Sequence, residues 1–120
     1  MRLLNARPPI AVLLLVALCG SALAFEGQYA GKRGTLVIKQ RPGGTFEVVV
    51  DATVPGCIAE LTATGRVSND VLVATKNQFG SSCRVTLRKQ GSTIALSQGP
   101  GCSTFHGASC AFAGTYPPKR

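Results

Sequence analysis

From residue 34 to residue 98 the chain alternates apolar and polar side chains, and turn residues interrupt it roughly every dozen positions. This pattern excludes most folds before anything else is considered. In Arg84-Val85-Thr86-Leu87-Arg88, Val85 and Leu87 face one side and the arginines the other. Phe46, Val48 and Val50 form a second such row, Ala59, Leu61 and Ala63 a third, and Ile94 and Leu96 a fourth. A period of two is the signature of a strand with one dry and one wet face. No window of eleven or more residues holds apolar positions at helical spacing, so no helix is expected. The breaks Pro42-Gly43-Gly44, Pro55-Gly56, Ser68-Asn69-Asp70, Gly91-Ser92 and Gly99-Pro100-Gly101 supply the backbone angles that tight turns need. Eight strands follow, at about 25–30, 34–40, 45–53, 57–66, 70–76, 83–89, 93–98 and 110–116. Residues 117–120, rich in proline and basic residues, read as a fraying tail.

Eight strands with one apolar face leave two raw edges if the sheet stays open, and closing it removes both. The fold class expected is therefore all-β: a small eight-stranded antiparallel up-and-down barrel. Phe25-x-Gly27-x-Tyr29 recurs as Phe112-x-Gly114-x-Tyr116, with all three residues of each set on one face, as first and last strands meeting at a seam would require. A glycine in such a strand lets the barrel bend or lets an aromatic ring lie over it. So small a barrel fills with its own side chains, and no large pocket is expected.

The first 24 residues point to an exported chain. Arg2 and Arg7 flank the apolar run Ile10–Leu18, and Ala22-Leu23-Ala24 offers small residues for cleavage after Ala24. The run is about half the ~20 residues a membrane span needs. Cys19 admits a lipoprotein alternative, but Leu18 stands where a small residue is usual. The mature chain, residues 25–120, is then a single domain placed in the periplasm or secreted. Removing Arg2 and Arg7 leaves eleven basic residues against five acidic ones, a net charge of +6. Outside the cytoplasm, nucleic acid is not the anion at hand. Cell-wall polymers, lipid headgroups and acidic protein patches are.

A domain this small has a marginal core. Cys57, Cys83, Cys102 and Cys110 remain after cleavage, and an even cysteine count in a short exported domain indicates two disulfides. Three pairings are possible. The reading leans to Cys102–Cys110 with Cys57–Cys83, which by loop closure contribute about 2.5 and about 3.5 kcal/mol.

His106, the chain's single histidine, lies midway between Cys102 and Cys110. Metal binding would need four ligands and free thiolates, against the oxidising compartment. Haem attachment would need Cys-x-x-Cys-His. Nucleophilic catalysis at Ser103 or Ser109 lacks a carboxylate to orient the imidazole, since no acidic residue follows Asp70. Glu47 and Asp51 share a strand face, as ordinary solvated residues do. Neither enzyme chemistry, a metal nor another cofactor is therefore expected. What remains is a disulfide-stapled loop presenting Ser103, Thr104, Phe105, His106 and Ser109 to a partner, its entropy already reduced. The competing reading makes Phe105 a barrel cap, gives His106 a backbone carbonyl and has Gly107 permit a turn. A second surface is an outward arginine patch, Arg66, Arg84 and Arg88, with Lys39 and Lys76 nearby, suited to anionic envelope polymers such as lipopolysaccharide or peptidoglycan.

An export leader, a mature domain under 100 residues, eight antiparallel strands and rim disulfides together resemble the bacterial periplasmic and membrane-bound inhibitors of c-type lysozyme. That resemblance implies a non-enzymatic barrel that pushes a loop into the lysozyme cleft, with Lys32 and Arg33 drawn to the acidic cleft residues. The family's Ser-Gly-x-x-Tyr and Tyr-x-x-x-Lys-Gly motifs have as their nearest counterparts Ser81-Ser82 and Tyr29-Ala30-Gly31-Lys32-Arg33-Gly34.

Overall fold

The structure, a computed structural model, describes residues 24–107 and 110–119. The leader reading, except for Ala24, and Ser109 lie outside them. Eight strands run β1(Gly27–Ala30), β2(Gly34–Arg41), β3(Thr45–Val54), β4(Cys57–Ser68), β5(Val71–Gln78), β6(Ser81–Gln90), β7(Thr93–Gln98) and β8(Gly114–Tyr116). Each pairs antiparallel with the next in chain order. The sheet curls into a nearly closed barrel. Alternation fixes the register: Leu36, Val50 and Leu61 lie side by side across three strands, as do Ile38, Val48 and Ala63. All these side chains point inward and are buried, and a slip of one residue would turn each of them to water.

The chain does contain a helix, a single turn α1(Ser103–His106) that follows a 3-10 turn at Pro100–Cys102. Four residues are too few to leave a helical period in the sequence. The expected tail is also corrected. Ala30 N donates to Pro117 O at 2.9 Å, Lys119 N donates to Gln28 O at 2.9 Å, and Tyr29 bridges Pro118. The residues after β8 thus tie the last strand to the first. Pro117 has no N–H and therefore joins β1 through its carbonyl alone.

The two Phe-x-Gly-x-Tyr sets are built alike. Tyr29 Oη donates to Phe25 O at 2.9 Å, and Tyr116 Oη to Phe112 O at 2.7 Å. In each, the ring leans back over the glycine of its own strand, and the Tyr116 ring also meets Gly31 of the first turn, where an added Cβ would lie 3.3 Å from it. At Gly27 an added Cβ would lie 3.5–3.6 Å from the Tyr29 ring and hydroxyl. Gly27 and Gly114 adopt φ of 153° and 159°, a region essentially confined to glycine. Because β1 and β8 run in opposite directions, Phe25 closes one end of the barrel and Phe112 the other.

The disulfides join Cys57 to Cys110 and Cys83 to Cys102, with Cα separations of 5.4 and 4.3 Å. The pairing favoured from sequence, Cys102–Cys110 with Cys57–Cys83, is therefore wrong. The ladder between β4 and β5 explains why. It holds only from Thr64↔Thr75 to Ser68↔Val71. Beyond Thr64, β4 pairs with β3 alone and β5 with β6 alone, so the barrel splits at that end, here called the mouth. The chain from Gly99 to Ala113 crosses the mouth. One disulfide fastens it to β6 and the other to β4, on either side of the split. Closing loops of 19 and 53 residues, they contribute about 3.3 and about 4.2 kcal/mol in the loop-entropy account.

Burial raises the hydroxyl pKa of both Tyr29 and Tyr116 above the usual phenol range, the latter partly offset by the Arg33 cation. Above about pH 10 the unfolded chain loses these protons while the folded chain keeps them, so stability should fall as pH rises. The chain has two tyrosines and no tryptophan. Phenolate absorbance at 295 nm should accordingly appear together with loss of the β-sheet circular dichroism. Ionisation at pH 10 with the sheet intact would show that the hydroxyls are not held as described.

Candidate functional site

The mouth gathers the turns β1–β2, β3–β4 and β5–β6 and the whole crossing segment. Among the described residues, the opposite end carries the turns at 42–44, 69–70 and 91–92, the approach to β1 and the residues after β8. Two of the three large apolar side chains exposed among the described residues are at the mouth: Ile58, 90% exposed, and Phe79, 70% exposed. The third, Val73, lies on the wall of β5.

Phe79 is held there against its backbone preference. It occupies the first position of the two-residue turn Phe79-Gly80, with φ of 57°, and Gly80 follows with φ of 71°. Hairpin turns with both residues at positive φ prefer Asn-Gly or Asp-Gly. At the opposite end the equivalent turn uses Asn69 and Asp70, at φ of 54° and 63°, the side chains that best tolerate this region after glycine. A bulky side chain in this conformation costs about 1–2 kcal/mol. What Phe79 gains is a tilted contact with Phe105, ring centroids 5.9 Å apart. For so exposed a pair this contributes at the low end of aromatic contacts, about 0.5 kcal/mol. The strain therefore exceeds the local gain. This residue was missed from sequence; the signal available was a lone Gly80 between two alternating runs.

The segment 99–113 is organised around Gln98 at the end of β7. Phe112 N and Ala113 N donate to Gln98 Oε1 at 2.7 and 3.0 Å. The amide nitrogen is thereby left to face His106 Nε2 at 2.9 Å. An amide N–H can only donate, so Nε2 must accept, and the ring proton sits on Nδ1, bonded to Gly107 O. The ring also meets Phe112 edge-on at 5.0 Å. Both nitrogens of His106 are used within the loop. The imidazole is a clamp rather than a contact group, and the four cysteines, as disulfides, offer no thiolate ligand.

Of the other residues assigned to the loop, Ser103 and Thr104 are exposed, and Thr104 shares a hydrogen bond of 3.2 Å with Ser81. Phe105 is half-buried, packs against the core and lines the split with Glu60, Lys76 and Gln78. It is both cap and partly exposed surface. Lys32 and Arg33 do not join α1. They line a separate cleft beside β8. The arginine patch is looser than expected. Arg66 lies on β4, and β5 separates it from Arg84 and Arg88 on β6. Its guanidinium donates to Gly43 O at 2.9 Å, towards the far end. Lys76 has the inward parity of Leu72 and Ala74 and is not on that face, whereas Lys39 lies opposite Glu47. Of the strand-face carboxylates, Glu47 pairs with Arg41 at 2.7 Å and Asp51 stands opposite Glu60 on the outer wall.

Two measurements test this geometry. Long-range ¹H–¹⁵N NMR at pH 8 should find the His106 proton on Nδ1, moving to Nε2 in Gln98→Glu; an Nε2 proton in the wild type would refute the clamp. Phe79→Asn should stabilise the fold by about 0.5–1 kcal/mol in denaturant melts, since strain relief outweighs the lost ring contact. A destabilised Phe79→Asn would mean that Phe79 is structural.

No family model, curated protein or solved structure matches this chain.

Proposed function

We propose that this chain is a non-enzymatic binding protein, exported to the periplasm or beyond by a leader cleaved after Ala24, and that it grips another protein with the mouth of its barrel. One observation carries the reading: an aromatic residue, Phe79, is exposed at a strained turn where asparagine would be the more stable choice. Backbone strain that local contacts do not repay is typical of binding sites. Around Phe79 lie the supports an anchor needs. Phe105 flanks the ring, Ser103 and Thr104 offer hydroxyls, Ile58 extends the apolar surface, and two disulfides limit the entropy lost on binding. The two disulfides also fit an oxidising compartment, and no helix among the described residues is long and apolar enough to cross a membrane.

The sharpest form of this reading is inhibition of a c-type lysozyme, with the rim around Phe79 and Thr104 entering the substrate cleft. In a cell-wall turbidity assay, the oxidised mature protein should inhibit at micromolar concentration. Phe79→Asn, though folded, should weaken inhibition by about tenfold or more, as expected when an interface anchor is lost. No inhibition at micromolar excess removes lysozyme as the partner. Equal inhibition by wild type and Phe79→Asn removes the mouth as the contact.

The alternative, binding of anionic envelope polymers, is supported by Arg84 and Arg88, exposed on one face of β6 without an acidic partner within 4 Å among the described residues. It requires retention on lipopolysaccharide or peptidoglycan that salt abolishes and that Arg84→Ala/Arg88→Ala loses.

A further inference from the structure

The expectation of no large pocket fails at one place. A cleft of about 470 Å³ opens at the seam between the first and last strands, lined by Ala30–Arg33 on one side and Gly114–Pro117 on the other. It begins where the join between those strands stops. The backbone bond from Ala30 N to Pro117 O is the last across the seam at this end. Beyond it the chain leaves β1 for the turn into β2, and that turn rests against β8.

The turn is tied at several points. Gly31 N donates to Gly34 O at 2.9 Å, and Thr53 N donates to Arg33 O at 2.8 Å. Gly31 packs so closely on the last strand that an added Cβ would collide with Thr115 O. The Arg33 stem lies against Gly114, whose added Cβ would be 3.7 Å from Arg33 Cδ. These contacts leave no room for another chain along β8. What they do is hold two cations beside the cleft.

The polar groups left free at the cleft are donors. Lys32 and Arg33 are exposed and have no carboxylate within 4 Å among the described residues. The Arg33 cation lies close enough to Tyr116 to offset part of the effect of burial on its hydroxyl. Pro117 O faces β1, and residues two apart along a strand turn their backbone to the same edge. Thr115 therefore directs its N–H into the seam, where it has no acceptor among the described residues. Tyr116 Oη is already spent on Phe112 O, and no acidic side chain lines the cleft.

This set of donors fits one particular head group. A carboxylate has two oxygens with about four lone-pair sites, which a guanidinium fork, an ammonium and one backbone N–H fill between them. A carboxylate by itself leaves most of the cleft empty, and a volume of about 470 Å³ falls among sites for small organic ligands. The remaining walls are Ala30, Pro117 and the Tyr116 ring, which suit an apolar body. An inorganic anion would use the cations and leave those faces wet.

We propose that the seam cleft is a second binding site, for a small amphipathic carboxylate. Arg33, Lys32 and the Thr115 N–H hold the head, and Ala30 and Pro117 cover a short apolar body of hexanoate size or larger. The site shares no residue with the mouth around Phe79, so either reading can fail without the other.

The test titrates ¹⁵N-labelled, oxidised mature protein at neutral pH and constant ionic strength with hexanoate, acetate, inorganic phosphate and hexanol. Hexanoate should shift the amides of Gly31, Lys32, Arg33 and Thr115, with the Thr115 N–H moving downfield as it gains an acceptor. Acetate, phosphate and hexanol should each bind about tenfold more weakly or worse, since each lacks one half of the ligand. Arg33→Ala should weaken hexanoate by about tenfold, and Arg33→Lys, which keeps the charge but loses the fork, by about threefold. Both variants alter an exposed side chain, so their denaturant melts should match the wild type, which keeps loss of binding distinct from loss of fold. Acetate or phosphate binding as well as hexanoate would reduce the cleft to a bare cation contact, and hexanol doing so would reduce it to an apolar one. Either result overturns the proposal, as would shifts centred on Arg84 and Arg88, or none with hexanoate at tens of millimolar.

Discussion

Everything at the mouth of this barrel depends on a missing piece of ladder. β4 and β5 part company after Thr64↔Thr75, and an unbridged split in a domain this small would let water into the core. Residues 99–107 and 110–113 fill the split. They carry Cys102 and Phe112 into the interior, set Phe105 between the parted strands, and are bonded covalently to both sides. A disulfide within the segment, from Cys102 to Cys110, would have made a neat ring and left the barrel open. The pairing found instead replaces backbone hydrogen bonds with cross-links, and it makes the rim rigid enough to hold Phe79 and Thr104 in place.

The seam on the other side is closed by gentler means. Two Phe-x-Gly-x-Tyr arches, each with its hydroxyl bonded four residues back, turn the first and last strands inward, and Pro117–Lys119 completes the join. Closure stops at Ala30. One end of the seam is therefore joined and the other is not, and the unjoined end is lined by Lys32 and Arg33. The molecule thus has two imperfect seams, both open at the mouth. One is plugged by the chain itself and one is left accessible.

Much of this was legible in the sequence. The rows Phe46, Val48, Val50 and Val85, Leu87 are buried as the alternation requires, and strand positions agree to within a few residues except for β8, which is shorter. A period of two is imposed by the backbone itself, so it survives in any sequence that forms such a sheet. The disulfide pairing was not legible, because it depends on where a ladder ends, and nothing in β4 or β5 alone marks Thr64 as the last pair. The helical turn Ser103–His106 was too short to show a period. That His106 bonds a backbone carbonyl was one of the two sequence readings, and Gly107 O is that carbonyl; its second partner was hidden, because Gln98 lies eight residues away and is identified as a donor only by what Phe112 and Ala113 do. Phe79 was overlooked for the opposite reason. An aromatic beside a glycine looks like the end of a strand, and its significance appears only once its φ is known.

The cross-linked plug can be tested without a partner or an assay. The oxidised mature protein is digested without reduction and its linked peptides are sequenced by mass spectrometry. Trypsin leaves Cys102 and Cys110 in one peptide, so a cut after Phe105 is also required. The account predicts Cys57 joined to Cys110 and Cys83 joined to Cys102. A Cys102–Cys110 link would contradict it, leaving the split between β4 and β5 unbridged and the rigid mouth without its foundation.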